Sequence, residues 1–270
     1  MPLCMNTSIK PFIIIVPKVT FLIKQLNLKL AKNTGRPLSI SPEHIISLGI
    51  FWKKQGIMTK KSLYDLFDLQ CSYKTLVVLL NKFIKEIAKI TMILMKELGK
   101  YAHLIKHTDA TDIPVCLNKN AKHHKTMASL SSWGHSGKGL YYGIRMNSTT
   151  DLEGRLLALH FATGGGDDRK AFAKMNDTLY GIFIADAGYI SQDLARKFFI
   201  EKRRILFAKP RANMKKLATE LNNQLYDTRM LIEQHFRNLK EFYLLVTHLP
   251  RSIDGYFGNY VYALLAYVLA

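Results

Sequence analysis

Acidic residues and cysteines are scarce in this sequence of 270 residues, and each scarcity excludes a class of protein. Asp and Glu number 20 against 39 Lys and Arg, which gives a formal net charge of +19. The three cysteines lie at positions 4, 71 and 116, a spacing that fits neither a disulfide framework nor a Cys-x-x-Cys zinc site. With 48% hydrophobic and 22% charged residues, the composition excludes a disordered or collagen-like chain and favours a folded globule.

Long hydrophobic runs are lacking as well. The apolar run at residues 12–16 ends at Pro17 and Lys18, well short of the ~20 residues that span a membrane, and no signal-peptide cleavage site follows it. The apolar run at residues 260–270 is also too short. We therefore expect a cytoplasmic protein without a membrane partner.

The excess of positive charge favours nucleic acid as a partner, because Lys and Arg contacts to phosphates give affinity that does not depend on base sequence. The excess is greatest in residues 1–108, which have 17 basic residues against 5 acidic ones, whereas residues 109–270 have 22 against 15. A second basic cluster lies between residues 196 and 216, and we expect it to contact DNA. On charge alone, a basic protein that binds no nucleic acid is the alternative.

Residues 1–100 are predicted to be helical. Ser41, Thr59 and Ser72 are each followed by apolar residues at steps of three and four, so each can cap a helix. The third helix is predicted to run from Ser72 to Gly99, accompanied by lysines at 74, 82, 85, 89, 96 and 100. Two short helices before a longer basic one are compatible with a helix-turn-helix that lies in a major groove. An ordinary helical bundle with a solvated lysine face is an equal alternative.

The pattern changes to strands after residue 100. Residues 140–146 and 155–161 are predicted to pair as a hairpin around the turn at 151–154. Two further strands, at 181–185 and 204–208, are separated by a helix at about 191–199. A hairpin followed by strands that alternate with helices is typical of a mixed α/β domain.

Two aspartates are predicted at strand ends, where α/β sheets present ligands. Asp109 follows the apolar stretch at residues 101–105, and Asp186 follows the strand at 181–185. Carboxylates at neighbouring strand ends can share divalent cations, because Mg²⁺ prefers oxygen ligands. The alternative role for such a residue is to cap the turn or helix that follows.

A third acid, Glu233, lies in a segment with helical apolar periodicity at residues 225–243. At about 100° per residue, Glu233 falls on one stripe beside the apolar face, together with Tyr226, Arg229, Arg237 and Lys240. Glu233 is therefore predicted at the rim of the core, where it faces a site. A solvated stripe of i, i+4 ion pairs is the alternative.

Several short motifs follow one another along the second part of the chain. They are Asp109-Ala-Thr-Asp-Ile-Pro-Val-Cys116, Tyr142-Gly143, Gly166-Asp-Asp-Arg-Lys170, Asp186-Ala-Gly-Tyr-Ile-Ser191, Lys209-x-Arg211-x-Asn213-Met214-Lys215 and Arg229-x3-Glu233. In this order they resemble the motifs of DDE transposases of bacterial insertion sequences, and the sequence is most similar to insertion-sequence family nine-eight-two. The spacing Tyr226-x2-Arg229-x3-Glu233-x6-Lys240 also resembles the signature helix of a wider transposase group.

The resemblance implies a ribonuclease-H-like α/β catalytic domain with a mixed sheet at residues 101–270, preceded by a helical, basic DNA-binding region at residues 1–100. It maps the catalytic and metal-binding triad to Asp109, Asp186 and Glu233. The implied cofactor is Mg²⁺, or Mn²⁺ in its place, with two ions bound. The implied DNA-binding residues are Tyr226, Arg229, Arg237, Lys240, Arg145, Lys209, Arg211 and Lys215.

The implied function is that of a DNA transposase, which nicks transposon-end phosphodiesters and joins the exposed 3′-hydroxyl to target DNA. Its partners are then double-stranded DNA and further copies of the chain, as a homodimer or higher oligomer on DNA in the bacterial cytoplasm, associated with the nucleoid. Two alternatives stay open. One is a ribonuclease-H-like DNA nuclease without strand transfer. The other is an inactive, transposase-derived DNA-binding protein, which is motivated by Ala187, where the family usually has a basic residue.

Overall fold

The computed structural model describes residues 10–28, 30, 37–208 and 219–270. In chain order its main elements are α1 (Lys10–Gln25), α2 (Pro42–Lys54), α3 (Lys60–Leu66), α4 (Tyr73–Lys82), α5 (Ile84–Lys100), β1 (Ile105–Pro114), β2 (Ser132–Ser136), β3 (Gly139–Asp151), β4 (Leu156–Thr163), α6 (Asp168–Met175), β5 (Ile182–Ala185), α7 (Gln192–Lys202), β6 (Ile205–Ala208), α8 (Glu220–Asp227), α9 (Met230–Glu241) and α10 (Ile253–Val268).

The chain forms two compact units. The helical unit comprises the described residues up to Met92, together with Leu239–Leu245 and Pro250–Ala270, and the sheet unit comprises Ile93–Asn238 and Val246–Leu249. The C-terminal helix α10 thus belongs with the N-terminal helices, whereas the sequence grouped it with the strands. The assignment of DNA binding and catalysis to residues 1–100 and 101–270 stays a prediction.

The helix starts predicted in the N-terminal part are confirmed by their caps. The side chain of Ser41 accepts a hydrogen bond from the backbone N–H of His44 at 3.3 Å. Thr59 and Ser72 accept in the same way from the residues three positions later, at 2.9 and 3.2 Å. Each of these bonds satisfies an N–H group that the first turn of a helix leaves without an intrahelical partner.

The predicted long helix from Ser72 to Gly99 is wrong in one respect, because Phe83 divides it into α4 and α5. The backbone of Phe83 leaves helical geometry, with φ −101° and ψ 21°, while its side chain is buried. The apolar periodicity continues across Phe83, so it did not reveal this break. The periodicity analysis did not identify α1 or α10.

The apolar helix α10 forms the core of the helical unit. It packs against α2 and α4, and it is apolar on nearly every side, with Tyr256, Tyr260 and Tyr262 all buried. Gly49 of α2 permits this packing, because a Cβ atom at that position would overlap the ring of Tyr262. Most of the apolar run at residues 260–270, which is too short to span a membrane, thus belongs to a buried core helix.

Two lysines of the helical unit, the buried Lys53 and the half-buried Lys60, contribute little to a basic surface. Lys53 donates hydrogen bonds to the Asn259 side chain and to the carbonyl of Leu244, and its Nζ lies 4.0 Å from the centroid of the Trp52 ring. Burial lowers the pKa of Lys53 well below its ordinary value. Burial also lowers the pKa of Lys60 to about 8. The net charge of this part of the sequence therefore overstates the charge available to a partner.

The sheet unit is built on one mixed sheet with strand order β2-β3-β1-β5-β6, in which β4 also pairs with β3. The pairs β1–β3, β2–β3 and β3–β4 are antiparallel, whereas β1–β5 and β5–β6 are parallel. Gly143 lets β3 approach β1 closely, because a Cβ atom there would overlap the carbonyl oxygen of Ile113. The predicted hairpin and the mixed α/β class are confirmed.

Helices α6 and α7 cover the parallel part of this sheet through an aromatic cluster. The ring of Phe172 lies 5.8 Å from Phe183 and 4.9 Å from Phe198, measured between centroids. The rings of Phe183 and Phe198 are 5.1 Å apart. All three side chains are buried, so this cluster fixes β5, and with it the position of Asp186 at the end of that strand.

Within the described part of the chain, none of the helices is long and apolar enough to cross a membrane.

We predict that Gly49→Ala destabilises the helical unit by roughly 1–3 kcal/mol, as overpacking of a core does, because the added Cβ atom would overlap the ring of Tyr262, which is fully buried. Urea unfolding monitored by circular dichroism measures the change. Gly137→Ala is the matched control, since no atom lies within 4 Å of the added methyl group. Equal stability of the two variants would contradict the packing of α10 against α2.

Candidate active site

The parallel pairing of β1 with β5 brings two aspartates together. It runs from Ile105 opposite Ile182 to Thr108 opposite Ala185, and Asp109 and Asp186 are the next residues of the two strands. Neighbouring strands lie roughly 5 Å apart, and paired residues of parallel strands point to the same face. Asp109 and Asp186 therefore lie side by side at the point where this pairing ends.

The predicted position of Asp109 needs one correction. Asp109 lies in the middle of β1 and not at its end, because β1 begins only at Ile105 and continues to Pro114 along β3. Asp109 nevertheless lies where the pairing of β1 with β5 ends, and the site is formed at that point. Side-chain alternation places Asp112 on the opposite face from Asp109.

Arg229 connects two of the three acids. Its Nη2 atom lies 2.5 Å from Oδ2 of Asp109, and its Nη1 atom lies 2.5 Å from Oε1 of Glu233. The side chains of Arg229 and Asp109 are only 18% and 16% exposed, whereas Glu233 is 60% exposed. The guanidinium group thus lies between a largely buried carboxylate and a solvated one.

Burial and a like charge disfavour the ionised form of Asp109. Burial raises the pKa of Asp109 to about 6, and the negative charge of Asp186 acts in the same direction. Arg229 and the backbone N–H of Ala110, which donates to Oδ1 at 2.8 Å, oppose this rise. For Arg229, burial lowers the pKa, but the charges of Asp109 and Asp186 outweigh burial and raise it. The guanidinium therefore stays charged in this site.

The segment with Glu233 is not the continuous helix that the periodicity predicted. Helix α8 ends at Asp227 and α9 begins at Met230, so Tyr226 lies on α8 and Arg229 lies in the turn between the helices. The backbone N–H groups of Arg229 and Leu231 bond to carbonyls three residues back, which tightens the chain locally. Glu233, Arg237 and Lys240 lie on α9, which ends at Glu241 and not at residue 243.

A hydrogen bond from β1 fixes this turn. The hydroxyl of Thr228 donates to the carbonyl of Leu225 at 2.6 Å, so it must accept from Nε2 of His107, which lies 2.7 Å away. His107 therefore donates from Nε2, and because burial lowers its pKa to about 4, its imidazole is neutral at pH 7. The sequence analysis missed both His107 and Thr228. The only signal for His107 was its two-residue spacing from Asp109, which places both on one face of β1.

Arg145, a predicted DNA-binding residue, pairs with Asp168 at 2.8 Å. The N-terminal cap of α6 is Asp167, whose Oδ1 accepts a hydrogen bond from the backbone N–H of Arg169 at 2.9 Å. Asp168 does not cap the helix, and its carboxylate pairs with Arg145. Next to this pair lies a polar cavity of about 450 Å³, lined by Gly166, Asp167, Asp168, Arg169, Ala187, Gly188 and Ile190. The cavity adjoins Asp186 along the chain.

The remaining predicted DNA contacts are only partly described by the structure. Lys209, Arg211 and Lys215 lie outside the described residues. In the basic cluster between residues 196 and 216, Arg204 is buried, stacks 3.7 Å from the centroid of the Phe198 ring and pairs with Glu201 at 3.0 Å. The interpretation of Arg204 as a DNA contact is therefore wrong, because its charge is already neutralised inside the sheet unit.

The donor chemistry of the site fits hard divalent cations. Asp109, Asp186 and Glu233 offer carboxylate oxygens, the ligands that Mg²⁺ prefers, and the buried carboxylate of Asp109 requires a positive charge beside it. Among the described residues, no three His, Cys, Asp or Glu side chains are close enough together to hold a metal ion. In this structure the guanidinium of Arg229 supplies the positive charge.

We predict that Asp109→Asn stabilises the protein at neutral pH and not in acid. The pKa of Asp109 is raised from 3.8 to about 6 in the folded state. The free energy of unfolding of the wild type is therefore highest below pH 4, as far as Asp109 contributes to it, and it falls as the pH rises through 6. Two pKa units correspond to ~3 kcal/mol, so the variant should gain a stability of that order at about pH 7.5 and almost nothing at about pH 4. Urea unfolding at a series of pH values, without divalent cations, measures this difference. A difference that is the same at every pH would contradict the environment described for Asp109.

One family model matches the chain, and it covers the whole site. The model, described as the transposase DDE domain, matches residues 99–252, which is more than half of the chain. Asp109, Asp186, Arg229 and Glu233 all lie in this range. No curated protein and no solved structure matched the chain. The resemblance to DDE transposases is confirmed at the level of the family, and the match does not distinguish among insertion-sequence families. The chain belongs to the transposase DDE domain family.

Proposed function

We propose that this transposase cleaves DNA at transposon ends and joins the resulting 3′-hydroxyl to target DNA, with Asp109, Asp186 and Glu233 as carboxylate ligands of divalent cations. The observation that carries the proposal is the placement of Asp109 beside Asp186 at the end of two parallel strands, with Glu233 linked to Asp109 through Arg229. All four residues lie inside the matched family range. We further propose that the element belongs to insertion-sequence family nine-eight-two.

We propose a ribonuclease-H-like fold for the catalytic domain. Three antiparallel strands, β4, β3 and β1, continue into the parallel strands β5 and β6, and helices separate the later strands along the chain. This arrangement supports the proposal because it presents carboxylates from two neighbouring strands at one edge. Glu233 then reaches the same region from α9, which follows the sheet in sequence.

The chemistry requires ionised carboxylates and a positioned phosphate. In the first step, a water oxygen bonds to phosphorus while the bond to the 3′-oxygen breaks, which leaves a 3′-hydroxyl and a 5′-phosphate. In the second step, that hydroxyl attacks a target phosphodiester and releases a target 3′-oxygen, so one phosphodiester replaces another and no external energy source is required. Two bound divalent ions would supply activation of the attacking oxygen and stabilisation of the leaving oxygen.

The side chains of this site bind and orient the reactants. Asp109, with a pKa of about 6, is ionised at neutral pH and can hold a cation. The planar fork of Arg229 suits bidentate contact with a phosphate. The hydrogen bond between His107 and Thr228 holds the turn from which Arg229 projects. We propose that the further contacts to DNA come from Tyr226, Arg237, Lys240, Arg145, Lys209, Arg211 and Lys215.

We also propose that the helical region at residues 1–100 binds the transposon ends, and that the chain acts as a homodimer or higher oligomer on DNA. The exposed lysines of α4 and α5 support this role for the helical region: Lys74, Lys82, Lys85, Lys89, Lys96 and Lys100 are all exposed. A row of exposed lysines fits the backbone of double-stranded DNA because each can replace a condensed counterion.

Substitution of any triad residue should abolish catalysis. We expect Asp109→Ala, Asp186→Ala and Glu233→Ala each to eliminate Mg²⁺-dependent cleavage while leaving binding of end DNA largely intact, because phosphate contacts elsewhere hold the DNA. The substrate is labelled DNA with the inverted repeats that flank the coding region. For the wild type, cleavage with strand transfer supports the proposal, cleavage alone favours a nuclease, and binding alone favours an inactive DNA-binding protein.

Asp112→Asn and Asp168→Asn are the matched controls for the triad, and Asp186→Asn is tested in parallel with them. Asp112 lies on the opposite face of β1 from Asp109, and Asp168 pairs with Arg145. Both control variants should retain measurable Mg²⁺-dependent cleavage, whereas Asp186→Asn should be inactive. Equal loss in all three would mean that the assignment of the metal ligands is wrong.

The role of the lysines is tested by the salt dependence of DNA binding. Replacement of Lys74, Lys85 and Lys89 by Gln should reduce the slope of log affinity against log salt by about 0.9 for each phosphate that the protein no longer neutralises, or by about 2.7 if all three lysines bind phosphates. The control removes the same charge from the sheet unit at Lys119, Lys122 and Lys125, which are also exposed. If the slope of log affinity against log salt is unchanged in the first variant, the proposed role of these lysines in DNA binding is contradicted.

A further inference from the structure

We propose that Arg229 is a displaceable counter-ion: it bridges Asp109 and Glu233 when no divalent cation is bound, and it is released to bind a DNA phosphate when a cation takes its place. This inference rests on the proposed function of the site. It adds to that function a coupling between cation binding and DNA binding, which one side chain of this chain provides.

The geometry shows why Arg229 occupies this place. Its two terminal nitrogens donate to two different carboxylates, each at 2.5 Å, and one of these is the largely buried Asp109. Asp186 adds a second negative charge next to Asp109. A buried carboxylate beside another carboxylate is stable in ionised form only with a positive charge in contact, and Arg229 meets this requirement.

A divalent cation and Arg229 compete for the same oxygens. Oδ2 of Asp109 and Oε1 of Glu233 accept from the guanidinium, and these are the carboxylates proposed to hold cations. A divalent ion placed among Asp109, Asp186 and Glu233 would also repel the guanidinium, because the side chains of Arg229 and Asp109 are largely shielded from water. Cation binding therefore requires Arg229 to leave at least one of its two carboxylates.

The turn between α8 and α9 allows this exchange without movement of the backbone. Thr228 is held by His107 and by the carbonyl of Leu225, so the Cα of Arg229 stays beside β1 while its long side chain changes partner. A phosphate oxygen pair is equivalent to a carboxylate as an acceptor for the guanidinium fork. DNA at the site can thus receive the side chain that the cation displaces.

Cation binding and DNA binding should then strengthen each other. A cation frees Arg229 for the phosphate, and a phosphate that holds Arg229 opens the carboxylates to the cation. Linkage requires that the two effects be of equal size, and such couplings are typically about 5- to 150-fold. Without Arg229, the carboxylates would be open at all times, and only the coupling that arises from direct contact between the cation and the phosphate would be left.

The first test measures Mn²⁺ binding to the full-length protein without DNA by isothermal titration calorimetry. If Arg229 competes with the cation, Arg229→Gln should bind Mn²⁺ about 5-fold more tightly or better. Arg229→Lys should fall between the wild type and Arg229→Gln, because an ammonium group keeps the charge but cannot bridge two carboxylates with a planar fork. Unchanged or weaker Mn²⁺ binding by Arg229→Gln would overturn the proposal.

Lys119→Gln is the matched control for charge. Lys119 lies in the same unit, its side chain is exposed, and it is outside the basic cluster at residues 196–216 that is expected to contact DNA. The substitution removes one positive charge, as Arg229→Gln does, and should leave Mn²⁺ affinity unchanged. If Mn²⁺ affinity rises equally in both variants, the effect is due to net charge, and the proposed role of Arg229 is contradicted. Circular dichroism confirms that each variant is folded.

The second test measures the coupling itself. Binding of end DNA is titrated with and without Ca²⁺ at constant ionic strength, so that no cleavage is needed for the readout. The wild type should bind DNA several-fold more tightly with Ca²⁺, and Arg229→Gln should show a clearly smaller gain, because only direct contact between Ca²⁺ and the phosphate then couples the two ligands. The same gain in both proteins would overturn the proposal.

The two tests separate failure of this inference from failure of the proposed function. In one outcome, the wild type binds Mn²⁺, Asp186→Ala does not, and Arg229→Gln binds Mn²⁺ no more tightly than the wild type. This outcome supports the metal site and contradicts the role of Arg229 as a counter-ion. In another outcome, the wild type binds no Mn²⁺, or Asp186→Ala binds it equally well, both with and without DNA. This outcome contradicts the proposed metal-dependent function and this inference together.

Discussion

The central physical constraint of the sheet unit is the charge that accumulates where β1 and β5 stop pairing. Asp109 and Asp186 lie side by side there, and Asp109 is largely buried, so its ionised form is disfavoured both by the loss of water and by its neighbour. The structure meets this with a single guanidinium that also contacts Glu233. The hydrogen bond between His107 and Thr228 holds the turn from which this guanidinium projects, and the charges of Asp109 and Asp186 raise its pKa.

The strand arrangement explains how a site can be both buried and accessible. On one side, β1 pairs with β3 along nearly its whole length, to Pro114 opposite Gly143. On the other side, its pairing with β5 ends after Thr108. Asp109 therefore sits on a strand that is rigid on one edge and open on the other. A rigid carboxylate at an open edge suits phosphodiester chemistry, because the reaction depends mainly on positioning and on charge.

The distribution of charge in the two units shows the limit of counting basic residues. Lys53, Lys60 and Arg204 contribute to the formal charge of the sequence, yet each donates hydrogen bonds inside the protein. The lysines of α4 and α5 are exposed and remain the better candidates for DNA contacts. Burial thus divides one set of similar residues into structural cations and surface cations, and only the second kind contributes to counterion release.

Short-range patterns in the sequence were sufficient to predict much of the local structure and the residue types of the site. Helix caps at Ser41, Thr59 and Ser72, the hairpin, and the strand before Asp186 follow from short-range patterns, because capping and side-chain alternation act within a few residues. The order of the motifs also indicated the transposase family, which the family match confirms.

The way in which those residues meet depends on contacts between distant segments of the folded chain. The interruption of the predicted helix at Thr228 involves His107, which is 121 positions earlier in the sequence, and the bridge from Arg229 reaches Asp109, which is 120 positions earlier. Likewise, α10 joins the N-terminal helices through contacts such as that of Tyr262 with Gly49. Periodicity describes one segment at a time, and these features arise from packing and electrostatic contacts between distant segments.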